Sequence, residues 1–294
     1  MPAVFSNGIE LAYETHGDPA NPVLLMVQGL GMPLSAWPKP LLDALVDAGF
    51  HLITFDNRDI GKSTLMHDRP PPNMLVQTIR RLVRMKVKAP YQLTDMMRDL
   101  VGLMDALDIK TAHVVGVSMG GMIAQLLAIH APQRVDSLTL IMSTTNERNL
   151  PGPTHEVSRF IMRGPQAPTD KARLAFQWQL WRMLGSPAYP LSDQELTGFL
   201  QMVYSRGVTA AGTARHTLAI LAAPGRAAEL RRVAAPTLVI HGDSDPLVPI
   251  ECGRAIAEAI PGAHMETIKG MGHDLPLQLI PRLTQLISEH VGDS

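Results

Sequence analysis

The chain has 294 residues, of which 46% are hydrophobic, a single cysteine and a formal net charge of −1. That length buries one large core, or a core and a smaller module, and the near-neutral balance gives no reason to expect nucleic acid or an anionic membrane as a partner. Cys252, alone, cannot form an internal disulfide, and the N-terminal residues lack a basic n-region and an apolar h-region, so a reducing, cytoplasmic setting is expected.

Taken in chain order, short β-branched or apolar runs alternate with helical patterns, which predicts a mostly parallel sheet covered by helices. Strands are expected at Gly8–Glu14 and Val23–Val27, followed by a helix over Pro40–Ala48 and a strand at His51–Phe55. The Pro-rich stretch Asp68–Asn73 and the following Met74–Val87 read as an irregular excursion, its basic cluster (Arg80, Arg81, Arg84, Lys86, Lys88) as a solvated helix face. A helix over Leu93–Leu107, a strand at Ala112–Val117, a helix over Met119–His130 and a strand at Val135–Met142 follow. Thr111 to Gln133 carries no Lys, Arg, Asp or Glu. A membrane span needs ~20 predominantly apolar residues, and Gly116, Ser118, Gly120, Gly121, Gln125 and His130 interrupt this one. A buried strand and a buried helix explain it better.

The alternation breaks between about Asn149 and His216, where amphipathic pieces (Val157–Met162, Asp170–Leu184, Asp193–Tyr204, Ala210–Leu221) are punctuated by prolines. This reads as a helical insertion over the sheet's C-terminal edge, dividing the chain into a core of 1–149 and 216–294 and a cap of 150–215. Trp178 and Trp181 share one face of it, either anchoring the insertion or lining a ligand cleft. Strands at Thr237–His241 and His264–Ile268 and helices at Ile250–Ala259 and Pro276–His290 complete the pattern.

Chemistry concentrates at three strand ends. Gly116-Val117-Ser118-Met119-Gly120 is a G-x-S-x-G pentapeptide between a strand and a helix, a setting that holds a serine on a strained corner with its hydroxyl exposed. A serine needs a base, and the base an orienting acid. Asp243 and Asp245 follow the strand at Thr237–His241, and Gly270-Met271-Gly272-His273 follows the last strand. Open α/β sheets assemble their sites on this edge, and the order Ser…Asp…His is that of hydrolases with a nucleophile elbow. Two near-misses fail: Gly29-Leu30-Gly31 lacks the third glycine of a dinucleotide fingerprint, and Gly61-Lys62-Ser63-Thr64 lacks the leading glycine of a P-loop. No clustered ligand set suggests a metal, so no metal and no cofactor are expected.

Over essentially its whole length the chain resembles an α/β-hydrolase-fold serine esterase. It is most similar to the aclacinomycin methylesterase group and neighbouring cofactor-free perhydrolase-like esterases. The likeness rests on Gly116–Gly121, on Asp56-Asn57-Arg58-Asp59-Ile60-Gly61-Lys62-Ser63, and on Arg226–Leu230, Pro236–Pro249 and Gly270–His273. It implies Ser118 as nucleophile, Asp245 as acid, His273 as base, and the backbone N–H groups of Leu30 and Met119 as oxyanion donors. The insertion falls where that family carries its cap, after the sixth strand.

Either aspartate could orient the imidazole; Asp245 is favoured, with Asp243 ordering the loop through backbone N–H groups. Asp274, before Leu275-Pro276 and a helix, is expected to be an N-cap. Asp56, Arg58 and Ser63 are expected to tie the loop after the strand at His51–Phe55. The departure from the family is Gln28-Gly29 where His-Gly is usual, which bears on how the oxyanion loop is braced. The expected activity is hydrolysis of an uncharged, apolar carboxylic ester. Lactone, peracid and carbon–carbon bond chemistry use the same triad, and a ligand-binding receptor is the reading from a different class.

Overall fold

The computed structural model describes residues 2–167 and 169–292. Eight strands form its sheet: β1 (Ala3–Ser6), β2 (Ile9–His16), β3 (Val23–Val27), β4 (His51–Phe55), β5 (Ala112–Val117), β6 (Val135–Ile141), β7 (Thr237–Gly242) and β8 (His264–Ile268). Their spatial order is β1-β2-β4-β3-β5-β6-β7-β8. β1 and β2 are antiparallel and β2 runs antiparallel to β4, whereas β4 through β8 are parallel.

The pleat explains why the central strands are apolar on both sides. Leu25 and Val27 of β3 and Val114 of β5 join one core cluster, while Leu24, Met26 and Val115 join the cluster on the opposite face. Successive side chains point to opposite faces, so a strand covered on both sides has no polar register.

The helices of the described residues are α1 (Lys39–Asp47), α2 (Met74–Leu82), α3 (Leu93–Ala106), α4 (Met119–His130), α5 (His155–Arg163), α6 (Asp170–Leu184), α7 (Asp193–Ser205), α8 (Ala210–Ala222), α9 (Ala227–Leu230), α10 (Ile250–Ala259) and α11 (Ile280–Gly292), of which α1, α3, α4, α10 and α11 pack on the strands. Helices α5 to α9 all lie between β6 and β7 in the chain. The charge-free stretch from Thr111 to Gln133 is β5 and α4, buried along most of its length. Among the described residues no helix is long and apolar enough to cross a membrane.

Four details differ from expectation. Gly8 belongs to a turn, because Asn7 and Gly8 both take positive φ (48° and 82°) and fold β1 back on β2. This Asn-Gly hairpin adds a strand that the sequence reading lacks. Met74–Leu82 is a helix, capped by the Asn73 side chain, which accepts from Val76 N–H. Its basic cluster is not a uniformly solvated face, since Arg81 turns inward and donates to Leu221 O at 2.7 Å, a carbonyl at the C-terminal end of α8 that no helical N–H satisfies. Finally, α11 begins at Ile280 after a short 3-10 turn, because Pro281, which lacks an N–H, suits a first helical turn.

Candidate active site

Ser118 sits on the corner between β5 and α4 with φ 54° and ψ −117°, a left-handed conformation that a non-glycine residue adopts only when its surroundings compel it. Those surroundings are tight. Its N–H donates to Ile141 O at 2.9 Å, and its carbonyl accepts from Ser143 Oγ at 2.8 Å. A Cβ on Gly120 would lie 2.0 Å from Val27 O, and one on Gly116 would lie 2.6 Å from Gly120 O. Only glycine permits this crossing. The hydroxyl is therefore presented at the N-terminus of α4, where the first N–H groups have no helical acceptor and the helix dipole favours negative charge.

His273 reaches this hydroxyl from the loop after β8. Its Nε2 lies 3.0 Å from Ser118 Oγ and its Nδ1 lies 2.7 Å from Asp245 Oδ2. A carboxylate only accepts, so Nδ1 carries the proton and Nε2 is left to accept from the serine. Asp245 is buried, and its other oxygen accepts from Leu247 N–H and Val248 N–H at 2.9 and 2.8 Å. Burial raises its pKa, but the attraction of His273, the hydrogen bond with it and the Val248 N–H outweigh that and hold the carboxyl below its ordinary range. Asp243 does something different: it is exposed and accepts from Gly270 N–H at 2.7 Å and from Ser244 Oγ.

On the other side of Ser118 runs the loop after β3. A Cβ on Gly29 would be 3.3 Å from Ser118 Cβ, so the backbone bearing Leu30 passes directly beside the serine. Gln28 braces this loop locally, its Oε1 accepting from Gly29 N–H at 3.1 Å. Asn57 Nδ2 donates to Gln28 O at 3.1 Å. Gly31 N–H donates to His216 Nδ1 at 3.2 Å, and His216 Nε2 donates to Arg58 O at 2.7 Å. The loop after β4 is rigid in turn. Asp56 accepts from Leu34 N–H and Lys62 N–H, Ser63 Oγ donates to Asp56 O, and Arg58 forks onto Asp99 with both contacts at 2.6 Å.

Two groups escaped the sequence reading, and one expectation is corrected. Asp274 is no N-cap: Pro276 supplies no N–H, the helix starts beyond it, and the Asp274 carboxyl is buried against the Ser186 hydroxyl. Ser186 Oγ accepts from Gly272 N–H at 2.8 Å and His273 N–H donates to Leu184 O at 2.7 Å. The end of α6 and the residues after it thus grip the histidine loop. Burial is the largest influence on Asp274, and it raises the carboxyl above its ordinary range. Trp181 meets Phe199 edge-on at 5.3 Å, pinning α6 to α7, and Trp178 lies under the Arg182 guanidinium at 5.0 Å.

Comparison with known proteins agrees with this architecture. Residues 22–278 match the family described as alpha/beta hydrolase fold. The rhodomycin D methylesterase DnrP of Streptomyces peucetius is 28% identical over 309 residues, covering 98% of this chain and 96% of its own. The putative carbamate hydrolase RutD of Variovorax paradoxus is 27% identical over 270 residues, covering 90% and 89%. Among solved structures, a hydrolase from Pseudomonas aeruginosa superposes with a TM-score of 0.73 at 26% identity, covering 99% of this chain and 97% of that one. A thermophilic esterase from Thermogutta terrifontis shares the fold with a TM-score of 0.73 at 23% identity, covering 100% and 99%.

Proposed function

Because the chain belongs to the alpha/beta hydrolase fold family, we propose that it is a serine hydrolase cleaving carboxylic esters of small, uncharged substrates. One observation carries the reading: the unbroken hydrogen-bond line from Ser118 Oγ through His273 to Asp245, aimed at a helix N-terminus. The methylesterase name of the relative spanning 98% of the chain points to the same bond type.

In this reading Ser118 Oγ attacks the ester carbonyl carbon while His273 Nε2 takes its proton. Asp245 holds the imidazole in the tautomer that can accept and stabilises the imidazolium. The carbonyl oxygen becomes an oxyanion held by the N–H groups of Leu30 and Met119. Collapse of the tetrahedral species breaks the carbon–oxygen bond, and the departing alcohol takes the proton from His273. Water then attacks the acyl-serine with His273 as base, releasing the acid and restoring the serine. The helices of 150–215 act as a cap over the site, joined to one another by the aromatic pairs Trp181–Phe199 and Phe160–Phe176, and the apolar composition of that segment favours apolar substrates. A cytoplasmic enzyme with one buried thiol fits the same picture.

A fluorophosphonate probe tests it. Stoichiometric labelling that disappears in Ser118→Ala, together with turnover of a chromogenic short-chain ester, is expected. Ligand binding without labelling or turnover would point to a receptor instead.

A further inference from the structure

Helix α2 is built inside out. Leu75, Ile79 and Leu82 follow one another at i, i+4 and i+7, with Val76 and Val83 beside them, so all five share one stripe. Such a stripe normally faces the core. Here it faces solvent: Leu75 and Leu82 are 68% and 76% exposed, and Val76, Ile79, Val83 and Met85 are exposed as well. The polar side of the helix holds it to the protein instead. Gln77 is buried and accepts from Lys88 N–H at 2.8 Å, while Arg81 donates to Leu221 O and, at 3.1 Å, to Asn146 Oδ1. The orientation is thus fixed by hydrogen bonds on the inward face.

Charge supplies the second observation. From Arg69 to Thr94 the chain carries six Lys and Arg and no Asp or Glu, so the near-neutral total from which no membrane partner is expected averages over a strongly basic segment. At the C-terminal end of the stripe lies a groove of about 670 Å³ lined by Arg81, Arg84, Lys86 and Arg148. Its one acid, Glu147, is engaged with Ala227 N–H at 3.0 Å. Burial and then the neighbouring Arg148 hold the Arg81 guanidinium below its ordinary range, a crowding of cations that an anion would relieve.

We propose that this face docks peripherally on an anionic lipid surface, with the α2 stripe inserted among the acyl chains and the arginine groove over the phosphate headgroups. An outward apolar stripe flanked by Lys and Arg is what an interfacial helix requires. A second copy of this chain fits less well, because twofold pairing would set the basic segment against itself. The inference is independent of the hydrolytic chemistry, and neither helix face includes a residue of the active site.

The test is co-sedimentation of the full chain with vesicles of phosphatidylcholine containing a third phosphatidylglycerol, and with pure phosphatidylcholine. Binding to the first and not the second is expected, falling when salt is raised to about 0.5 M because charge attraction is screened. The exposed pair Ile79→Ser with Leu82→Ser should lower partitioning at least about tenfold without affecting folding, as the apolar stripe supplies insertion. Arg84→Gln with Lys86→Gln should lower it about 25-fold, taking roughly fivefold for each cation near the surface. Absence of binding to the anionic vesicles, or equal binding of the serine pair and the parent, overturns the proposal. So does a dimer, seen by light scattering, that Ile79→Ser with Leu82→Ser converts to monomer.

Discussion

His216 Nδ1 accepts the N–H of Gly31 at 3.2 Å, and through this contact helix α8 holds the loop that carries Leu30 beside Ser118. The ring is wholly buried, and its other nitrogen is committed to Arg58 O. The Gln28 side chain braces only the adjacent Gly29. A histidine supplied from 185 residues away braces the far end of the same loop. His216 is therefore a positioning residue for the proposed oxyanion donor.

Replacing it with phenylalanine keeps the volume and deletes both hydrogen bonds. Losing a whole oxyanion donor costs about 10²–10³ in turnover, so a misplaced one should lower kcat about tenfold to a hundredfold while KM changes little. His216→Gln, which can still accept and donate, should recover part of the loss. A merely structural role would leave kcat of the folded fraction unchanged.

The same ring gives a pH signature. Burial lowers its pKa to about 4, from an unfolded value of 6.5. The unfolded chain then binds the proton more readily than the folded one, so the associated stability is present above about pH 6.5 and is lost as pH falls toward about 4. The full difference is on the order of 3 kcal/mol. Denaturant melts across that window should show the parent losing stability more steeply than His216→Gln. Parallel curves would remove His216 as a source.

Two acids two residues apart should separate cleanly in kinetics. In the proposed mechanism Asp245→Asn preserves shape but removes the charge that sets the imidazole tautomer, so kcat should fall by about 10⁴. Asp243→Asn touches only Gly270 N–H and Ser244, and a change under about tenfold is expected, since an exposed loop bond is worth roughly 1 kcal/mol. Reversal of these two outcomes would reassign the acid.

How much of this was readable beforehand follows from separation along the chain. The strand-turn-helix corner at Ser118 is local, so its glycines, its apolar strand and its uncharged helix announce it together. The same holds for the parallel strands, whose apolar runs reflect burial on both faces. Ser186 with Asp274, Asp59 with Arg215 and His216 with Arg58 are 88, 156 and 158 residues apart. Their hydrogen bonds depend on how α6 and α8 settle against the sheet, and no local pattern encodes that. The orientation of helix α2 escaped for another reason. An apolar stripe reads the same whether it faces the core or the solvent, and only the partners of Gln77 and Arg81 decide which.

The Asp274 carboxyl predicts a stabilising substitution. Burial raises its pKa, so the folded state holds the proton more tightly than the unfolded one. The benefit of that bound proton is present below the unfolded pKa and is lost as pH rises through the folded one. Asp274→Asn keeps an acceptor for Ser186 and removes the buried charge. Its melting temperature should exceed the parent's at neutral pH, and the two should converge in acid. Ser186→Ala should instead destabilise by about 1–3 kcal/mol, because it strands the buried Gly272 N–H and the Asp274 carboxyl. Equal melting of all three proteins would mean that the pair contributes nothing.

Glycine substitutions distinguish a loop that positions chemistry from one that only connects. A Cβ on Gly272 would lie 2.5 Å from Leu184 O and 2.7 Å from Gly185 O, both backbone atoms that cannot swing aside. Gly272→Ala must therefore push the adjacent His273 off the line to Ser118. A displacement of about 1 Å in a catalytic group costs on the order of 10²-fold, which is the loss in kcat expected for this variant. Gly198, on the exposed side of α7, has nothing within 4 Å of the same added atom. There alanine only restricts the unfolded chain and suits the helix, so Gly198→Ala should raise stability by about 0.5–1 kcal/mol and leave turnover alone. Full activity in Gly272→Ala would mean that the histidine loop tolerates the shift and that the grip of α6 on it does not set the geometry of the site.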